Sequence, residues 1–476
     1  MATPAWPLSL FTRKSGYHWY VVGTVCVGAF MAALDASIVN VALPAIGKGL
    51  NTGISLVEWV AIAYLLTLTT LVILFGRIAD MLGRRPMYTY GFGVFIVGSA
   101  LAGAAPSLGL LLAARVLQAS GAALLQANSV AIITATVPAS VRGKAIGIQG
   151  AAQAVGLSVG PVVGGLLMAA FSWRAIFYVN VPVGIIGTLL AAMILPRDRV
   201  HTKQTFDYVG ALTIALGLFS VLFGVSQGYR IGWSDPIIVG SLVLGVAVLV
   251  FAAFWELRVD TPMVDPLLFK RRIFWSGNLS GLLSYALMNG TLFLMPFFLT
   301  RVMGLPPAQV GLLVVPVPLA MMVLSPVAGG WADRIGSQRL TVLGMAVSTL
   351  GVLALTSIGK STSDLFLVAA LAIVGVGMGL FTPPNNSSVM GSAPVARLGV
   401  AGGVLNMARS LGMSSGIAIS ATVLGSLLVA FGGSENTGRT AAQVMAFHGS
   451  FWALVILGLM AVAITLLREE REQKPS

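Results

Sequence analysis

Residues 76–86 read GRIADMLGRRP, four charges in eleven positions set between long apolar runs. Charge this dense beside hydrocarbon-length segments belongs where a helix leaves a bilayer. A degraded copy, GGWADRIGSQR, occupies residues 329–339. The recurrence in each half marks a duplicated chain. Duplicated, polytopic helical proteins build a central site between pseudo-symmetric halves, and alternating access is the usual use of that construction.

Composition supports a membrane protein. Hydrophobic residues make up 57% of the 476-residue chain and charged residues 9%, with a mean hydropathy of +0.93. Soluble domains carry about 25% charged residues. No polar stretch is long enough for a separate soluble domain. The 56 glycines suit close helix packing in lipid. A single cysteine, Cys26, lies in an apolar run and leaves no basis for disulfides or metal clusters. The net charge of +13 could mean nucleic acid. Here the basic residues punctuate helix ends and form no patch, so no nucleic-acid partner is expected. Arg13 and Lys14 precede an apolar run as in a signal peptide. That run resumes after Asp35, which favours a retained first helix.

At about 20 apolar residues per helix, the chain reads as fourteen spans: 19–44, 54–77, 87–105, 109–137, 142–170, 175–195, 207–228, 236–256, 273–300, 308–332, 338–358, 364–392, 396–431 and 445–467. The first, fourth, fifth, twelfth and thirteenth are overlong, so tilts or kinks are expected there. With both termini cytoplasmic, most basic residues fall in inside loops, including Arg13, Lys14, Arg77, Arg84, Arg85, Arg142, Lys144, Arg197, Arg199, Lys203, Arg468, Arg471 and Lys474. The outside loops hold only Lys48, Arg174, Arg230, Arg301, Lys360 and Arg439. That bias sets the orientation. Arg115 and Arg409 fall within spans.

The halves align beyond the opening motif. NSV at Asn128 recurs as NSSV at Asn386, Pro138 as Pro394, and Gly156 and Gly160 as Gly412 and Gly416. The offset of about 255 residues exceeds the roughly 200 that six spans need. The surplus is a helical pair. The expected organisation is therefore an all-α membrane protein with a six-helix bundle (1–200), two additional helices (201–260) and a second six-helix bundle (261–476).

With these motifs in order, the chain resembles the major facilitator superfamily, and within it the fourteen-helix drug:proton antiporters. Gly76, Asp80, Gly83, Arg84 and Arg85 match that family's loop motif. LDASIVNVALPAI, with Asp35, Asn40 and Pro44, resembles its first-helix signature, and RVLQASGAALLQ, with Arg115, Gln118 and Gly121, its fourth-helix basic motif. AVGLSVGPVVGGLL, with Gly156, Gly160, Pro161, Gly164 and Gly165, resembles the fifth-helix motif of its exporters, and WRAIFYVNVPVG its sixth-helix signature. The resemblance covers essentially the whole chain. It implies a monomer in the bacterial cytoplasmic membrane that exports small molecules in exchange for protons and needs no other cofactor. Ile62 stands where some relatives carry a second acid.

Asp35 is the sharpest chemical candidate. It lies about 24 Å along its helix at 1.5 Å per residue, and a carboxylate at that depth is a functional hypothesis by default. Burial opposes its charge and a guanidinium favours it. Arg115 sits at a depth from which it could reach Asp35, if the two spans are neighbours, as the resemblance implies. A protein that makes and breaks their contact would move a proton on and off the acid. The plainer alternative is a fixed ion pair locking two helices, with Arg115 as interhelical glue.

Asp80 is expected to accept hydrogen bonds from backbone amides at a neighbouring helix start, where the dipole favours an anion. The span that begins near Val395 is the candidate. Contacts of that kind exist in one state only, so Gly76, Asp80, Gly83, Arg84 and Arg85 read as a conformational latch. The alternative is a plain positive-inside anchor. Asp333 keeps the acid in the second copy, but Ser337 and Gln338 replace the arginine pair, so a weaker latch is expected there. Gly156, Gly160 and Gly164 share one helical face for close packing, and Pro161 permits a kink.

A substrate cavity would draw on Glu58, Gln118, Gln126, Asn128, Asn278, Tyr285, Met288, Asn289, Phe293, Asn406 and Arg409. Methionine and aromatics suit varied lipophilic ligands. Glu58 is alternatively an ordinary wetted helix start. Arg409 would bind an anionic group on a substrate or pair with the Asn385–Asn386 region. With Asp35 the one deep acid, neutral or singly charged lipophiles are favoured over dications. Transport of a lipid, an anion or a nutrient on the same fold is the alternative. No HExxH or phosphate loop is present, so no enzyme is expected.

Overall fold

The computed structural model describes residues 16–52, 54–196, 206–260, 262–431 and 440–467. Arg13, Lys14, Arg197, Arg199, Lys203, Arg439, Arg468, Arg471 and Lys474 lie outside that set, as do the expected boundaries at 200 and 261. Fourteen described helices are long and apolar enough to cross a membrane. We label them α1 (Tyr17–Gly49), α2 (Trp59–Leu82), α3 (Arg84–Ala104), α4 (Leu108–Thr136), α5 (Arg142–Ala170), α6 (Asn180–Ile194), α7 (Tyr208–Ile231), α8 (Pro236–Glu256), α9 (Arg272–Arg301), α10 (Pro316–Ile335), α11 (Ser337–Leu355), α12 (Asp364–Gly391), α13 (Leu398–Ala430) and α14 (Thr440–Leu466). The helices expected to be overlong are so, and α9 joins them at 30 residues.

Local chemistry sets many helix ends. Ser107, Asp207, Asp235 and Ser363 cap α4, α7, α8 and α12 with side-chain oxygens. Gly83 and Gly336 end α2 and α10 at φ 103° and 90°, a region that favours glycine. Because only Gly83 breaks it, α2 runs past its apolar stretch to Leu82. Arg77 is therefore no loop residue, as the charge distribution had placed it, but a fully buried one.

Within the first half α1 packs on α5, α3 on α4 and α6, and α2 on α4. In the second half the matching pairs are α9 with α13, and α11 with α12 and α14. The halves meet where α2 packs on α13 and α5 on α10. At the end that carries Asp80 and Asp333 they share one core, in which Leu398, Val400, Ala401, Val404 and Leu405 of α13 join the apolar cluster of the first half. By contrast α1 and α9 make no extended contact. The assembly is thus closed at the Asp80 end.

The hairpin α7–α8 lies over the seam, with α7 against both α2 and α13. Near its turn, Arg230 forms an ion pair with Glu58 of the first half. Trp233 donates to Thr422 of the second half at 2.7 Å, and Tyr229 meets Phe293 edge-on. Two helices that interrupt the repeat thereby tie both halves together.

Candidate functional site

The chemistry divides among a buried carboxylate network, two inter-half clasps and a central cavity. Asp35, fully buried on α1, accepts three hydrogen bonds. Arg115 Nη1 donates to Oδ2 at 2.7 Å, and Gln118 Nε2 and Asn180 Nδ2 each donate to Oδ1 at 2.9 Å. Ser99 Oγ accepts from both amides at 3.1 Å and donates to the Phe177 carbonyl at 2.8 Å. Arg115 also donates to Gln118 Oε1 and the Val60 carbonyl, and its guanidinium lies 4.1 Å from the Tyr64 ring centroid. Five helices, α1 to α4 and α6, converge on one charge.

The expected pairing of Asp35 with Arg115 is present. Gln118 is not a cavity residue: it turns to Asp35, because an amide in lipid serves a charge before it serves empty space. Asn180 and Ser99 belong to the site as well. Asn180 lies in the WRAIFYVNVPVG segment, and only its polarity at a helix start signalled it.

The clasps are symmetric. Asp80 accepts from the backbone amides of Gly399 at 2.9 Å and Val400 at 3.1 Å, in the first turn of α13. Asp333 accepts from Gly143 at 2.8 Å and Lys144 at 3.0 Å, in the first turn of α5. Each carboxylate thus sits at a helix start, where amide donors and dipole favour an anion. Arg84 bonds Asp80 and the Val395 carbonyl, at 2.9 and 2.6 Å. Arg85 instead holds the Ala192 carbonyl of α6. The second clasp keeps both amide bonds without an arginine pair. Gly76 lies against Gly399 and Gly329 against Gly143, and a Cβ at any of these would overlap backbone.

The glycine face is equally specific. Gly156, Gly160 and Gly164 of α5 face Phe30, Ser37 and Ile38 of α1, and Ser37 Oγ donates to the Gly156 carbonyl at 3.2 Å. Gly412 and Gly416 repeat this against Leu282 and Ala286 of α9. Pro161 lies within α5.

Between the halves a cavity of about 20 Å³ is lined by α4, α5, α9, α12 and α13. In this closed form it has room for about one water molecule, so a cargo would enter only as the halves part. Of the residues proposed for a substrate cavity, Asn278, Tyr285, Asn406 and Arg409 line this space, joined by Gln149, Gln153, Asn385 and Asn386. Arg409 donates to Gln153 at 3.1 Å. Those two residues are 256 apart, the spacing of Gly156 from Gly412. Repeat mates therefore meet across the pseudo-two-fold axis. Asn406 donates to the Gln126 carbonyl at 3.1 Å.

The other candidates lie elsewhere in this closed form. Asn128 bonds its own helix at Leu124, and Asn289 bonds its own at Tyr285. Met288 packs in the second-half core. Phe293 meets Tyr229, and Glu58 pairs with Arg230 at the end away from Asp80. A larger recess of about 460 Å³, between α1, α5 and α6, has no charged or amide side chain to orient a ligand.

Comparison with known proteins assigns the fold. The family model of the Major Facilitator Superfamily matches residues 25–417. The chain belongs to the major facilitator superfamily. It is 30% identical to the riboflavin transporter RibZ of Clostridioides difficile over 96% of this chain and 98% of that one. It is 32% identical to the multidrug resistance protein Stp of Mycobacterium tuberculosis, over 85% of this chain and 75% of that one. The structure of the human organic anion transporter MFSD10 superimposes with a TM-score of 0.68 at 16% identity, covering 95% of this chain and all of that one. The protein is a multi-pass membrane transporter of a bacterial cell-membrane type, not an enzyme.

Proposed function

We propose that the protein is a proton-coupled antiporter that exports drug-like or metabolite-like small molecules from the cytoplasm, with both termini inside. The observation that carries this reading is the Asp35 network. One deep carboxylate holds three donors, and the arginine among them also bonds a carbonyl of a different helix.

Protonation of Asp35 weakens its hold on Arg115 and Asn180 and frees α1 to shift against α4 and α6. The glycine face ties α1 to α5, so α5 moves with it. Two functional features ride on α5: the cavity residues Gln149 and Gln153, and the amides that clasp Asp333. Proton binding is thereby linked to opening at the Asp80 end, without contact between proton site and cargo. The closed end is the cytoplasmic one by the charge bias, so the form described here faces outward.

Energetics sets what one proton can do. A pH unit supplies about 1.4 kcal/mol and 100 mV about 2.3 kcal/mol per charge. Exchange of one proton for a monovalent cation is electroneutral and uses the pH term alone, about tenfold per unit. A neutral cargo uses both, about 3.7 kcal/mol or several hundredfold.

RibZ and Stp, named for a vitamin and for multidrug resistance, bracket the cargo. The test is efflux from overexpressing cells over a panel of dyes, antibiotics and riboflavin, with and without an uncoupler. Exported compounds should accumulate in cells when the uncoupler is added or when Asp35→Asn replaces the wild type. Export that is equal under all three conditions would refute proton coupling.

A further inference from the structure

The central cavity holds a positive charge and no counter-charge. Arg409 is half-buried and forms no ion pair among the described residues. Its Nη1 donates to Gln153, and the Tyr285 ring centroid lies 5.6 Å from its Cζ. The other polar side chains on the wall are amides, and none of the twelve lining residues is an acid. Asp35 is the one described acid well inside a span, and it is already committed to Arg115. No carboxylate therefore stands ready to neutralise a cationic cargo. In addition, Asn278 Oδ1 is buried without a hydrogen-bond partner. An acceptor of that kind wants an N–H or O–H from whatever fills the cavity.

We infer that the cavity selects an aromatic organic anion bearing at least one hydrogen-bond donor. This rests on the reading of the cavity as the cargo site. Its carboxylate or ionised phenol pairs with the planar fork of Arg409. Its ring lies against Tyr285, its donor faces Asn278, and its remaining polar atoms are read by the surrounding amides. A lipophilic cation would add a second positive charge to a site that already carries one. The anion has a further effect. The Arg409–Gln153 bond joins repeat mates from opposite halves, so a cargo that takes Arg409 releases a contact across the axis. Cargo and the inter-half contact to Gln153 thus compete for the same guanidinium.

The experiment is fluorescence-anisotropy binding to purified protein in detergent, where no gradient exists. Its outcome is therefore independent of proton coupling, which the efflux assay tests separately. The probes, used at mildly acidic pH, are fluorescein, whose monoanion keeps a phenol O–H beside its carboxylate, and ethidium, a planar aromatic cation. Wild type should bind fluorescein at least tenfold more tightly than ethidium. Arg409→Gln should lose fluorescein affinity at least tenfold without weakening ethidium, and Arg409→Lys should retain part of it. Gln153→Ala frees the guanidinium and should strengthen fluorescein binding several-fold. That opposite sign keeps the inference testable if Arg409→Gln fails to fold. Undetectable fluorescein binding to wild type, equal or tighter ethidium binding, or fluorescein affinity unchanged or reduced in Gln153→Ala would overturn it.

Discussion

A carboxylate in lipid has few options, and that constraint makes Asp35 legible. It must pair, titrate or face water, and the one arginine at a matching depth, Arg115, is its partner at 2.7 Å. Uncharged polar residues carry no such compulsion. Gln118, Asn128 and Asn406 look alike in sequence, yet one serves Asp35, one bonds its own helix and one bridges the halves. Asn180 shows what the network adds. Asn180→Ala removes one of three donors to Asp35. Proton-driven efflux should fall about tenfold, in line with the loss of one hydrogen bond to a charged group, with expression unchanged. Undiminished efflux would mean that Asn180 only packs.

Among the elements, spans were readable because hydrocarbon thickness fixes their length. Their ends were less so: α1 continues through Pro44 to Gly49, and α2 carries Arg77 into the interior. Packing between elements turns on glycines whose neighbours differ in kind. A methyl at Gly160 overlaps most with the Ser37 hydroxyl, which can rotate away, and crowds Ser37 Cβ at 2.9 Å, whereas one at Gly416 overlaps the backbone of Ala286, which cannot move aside. Gly416→Ala should therefore cost about 1–3 kcal/mol and lower the melting temperature more than Gly160→Ala. Ser37→Ala should rescue Gly160→Ala in part and Gly416→Ala not at all. Equal losses at both sites would contradict the packing argument. The clasps act between elements too. Asp80→Ala removes two bonds to the start of α13, and should slow turnover more than it weakens cargo binding. In that background a cysteine at Ser325, buried against Gly147 between the halves, should react faster with maleimide, in protein whose Cys26 is replaced. Unchanged labelling would reduce Asp80 to an anchor.

In the whole molecule, the proposed proton site and the proposed cargo site are separate. The Asp35 network lies inside one bundle, and the cavity lies on the axis between two. In the proposed account a moving element joins them: α5 lines the cavity and packs through its glycine face on α1, the helix that carries Asp35. The duplication was visible in sequence because GRIADMLGRRP and its copy preserve charge and spacing. The axis itself was not, since Gln153 and Arg409 are repeat mates of unlike chemistry and no motif links them. The role of the α7–α8 hairpin was equally hidden, because its ties through Arg230, Trp233 and Tyr229 cross to helices remote in sequence.

The central claim is that Asp35 exchanges its proton in step with cargo, and vesicles containing the purified transporter and a trapped pH indicator test it most directly. An imposed gradient of an exported compound should drive protons the opposite way in wild type. Asp35→Asn should abolish that proton flux while still exchanging cargo at equal concentrations on both sides. A wild type that moves cargo without protons, or an Asp35→Asn variant with undiminished proton flux, would contradict the account.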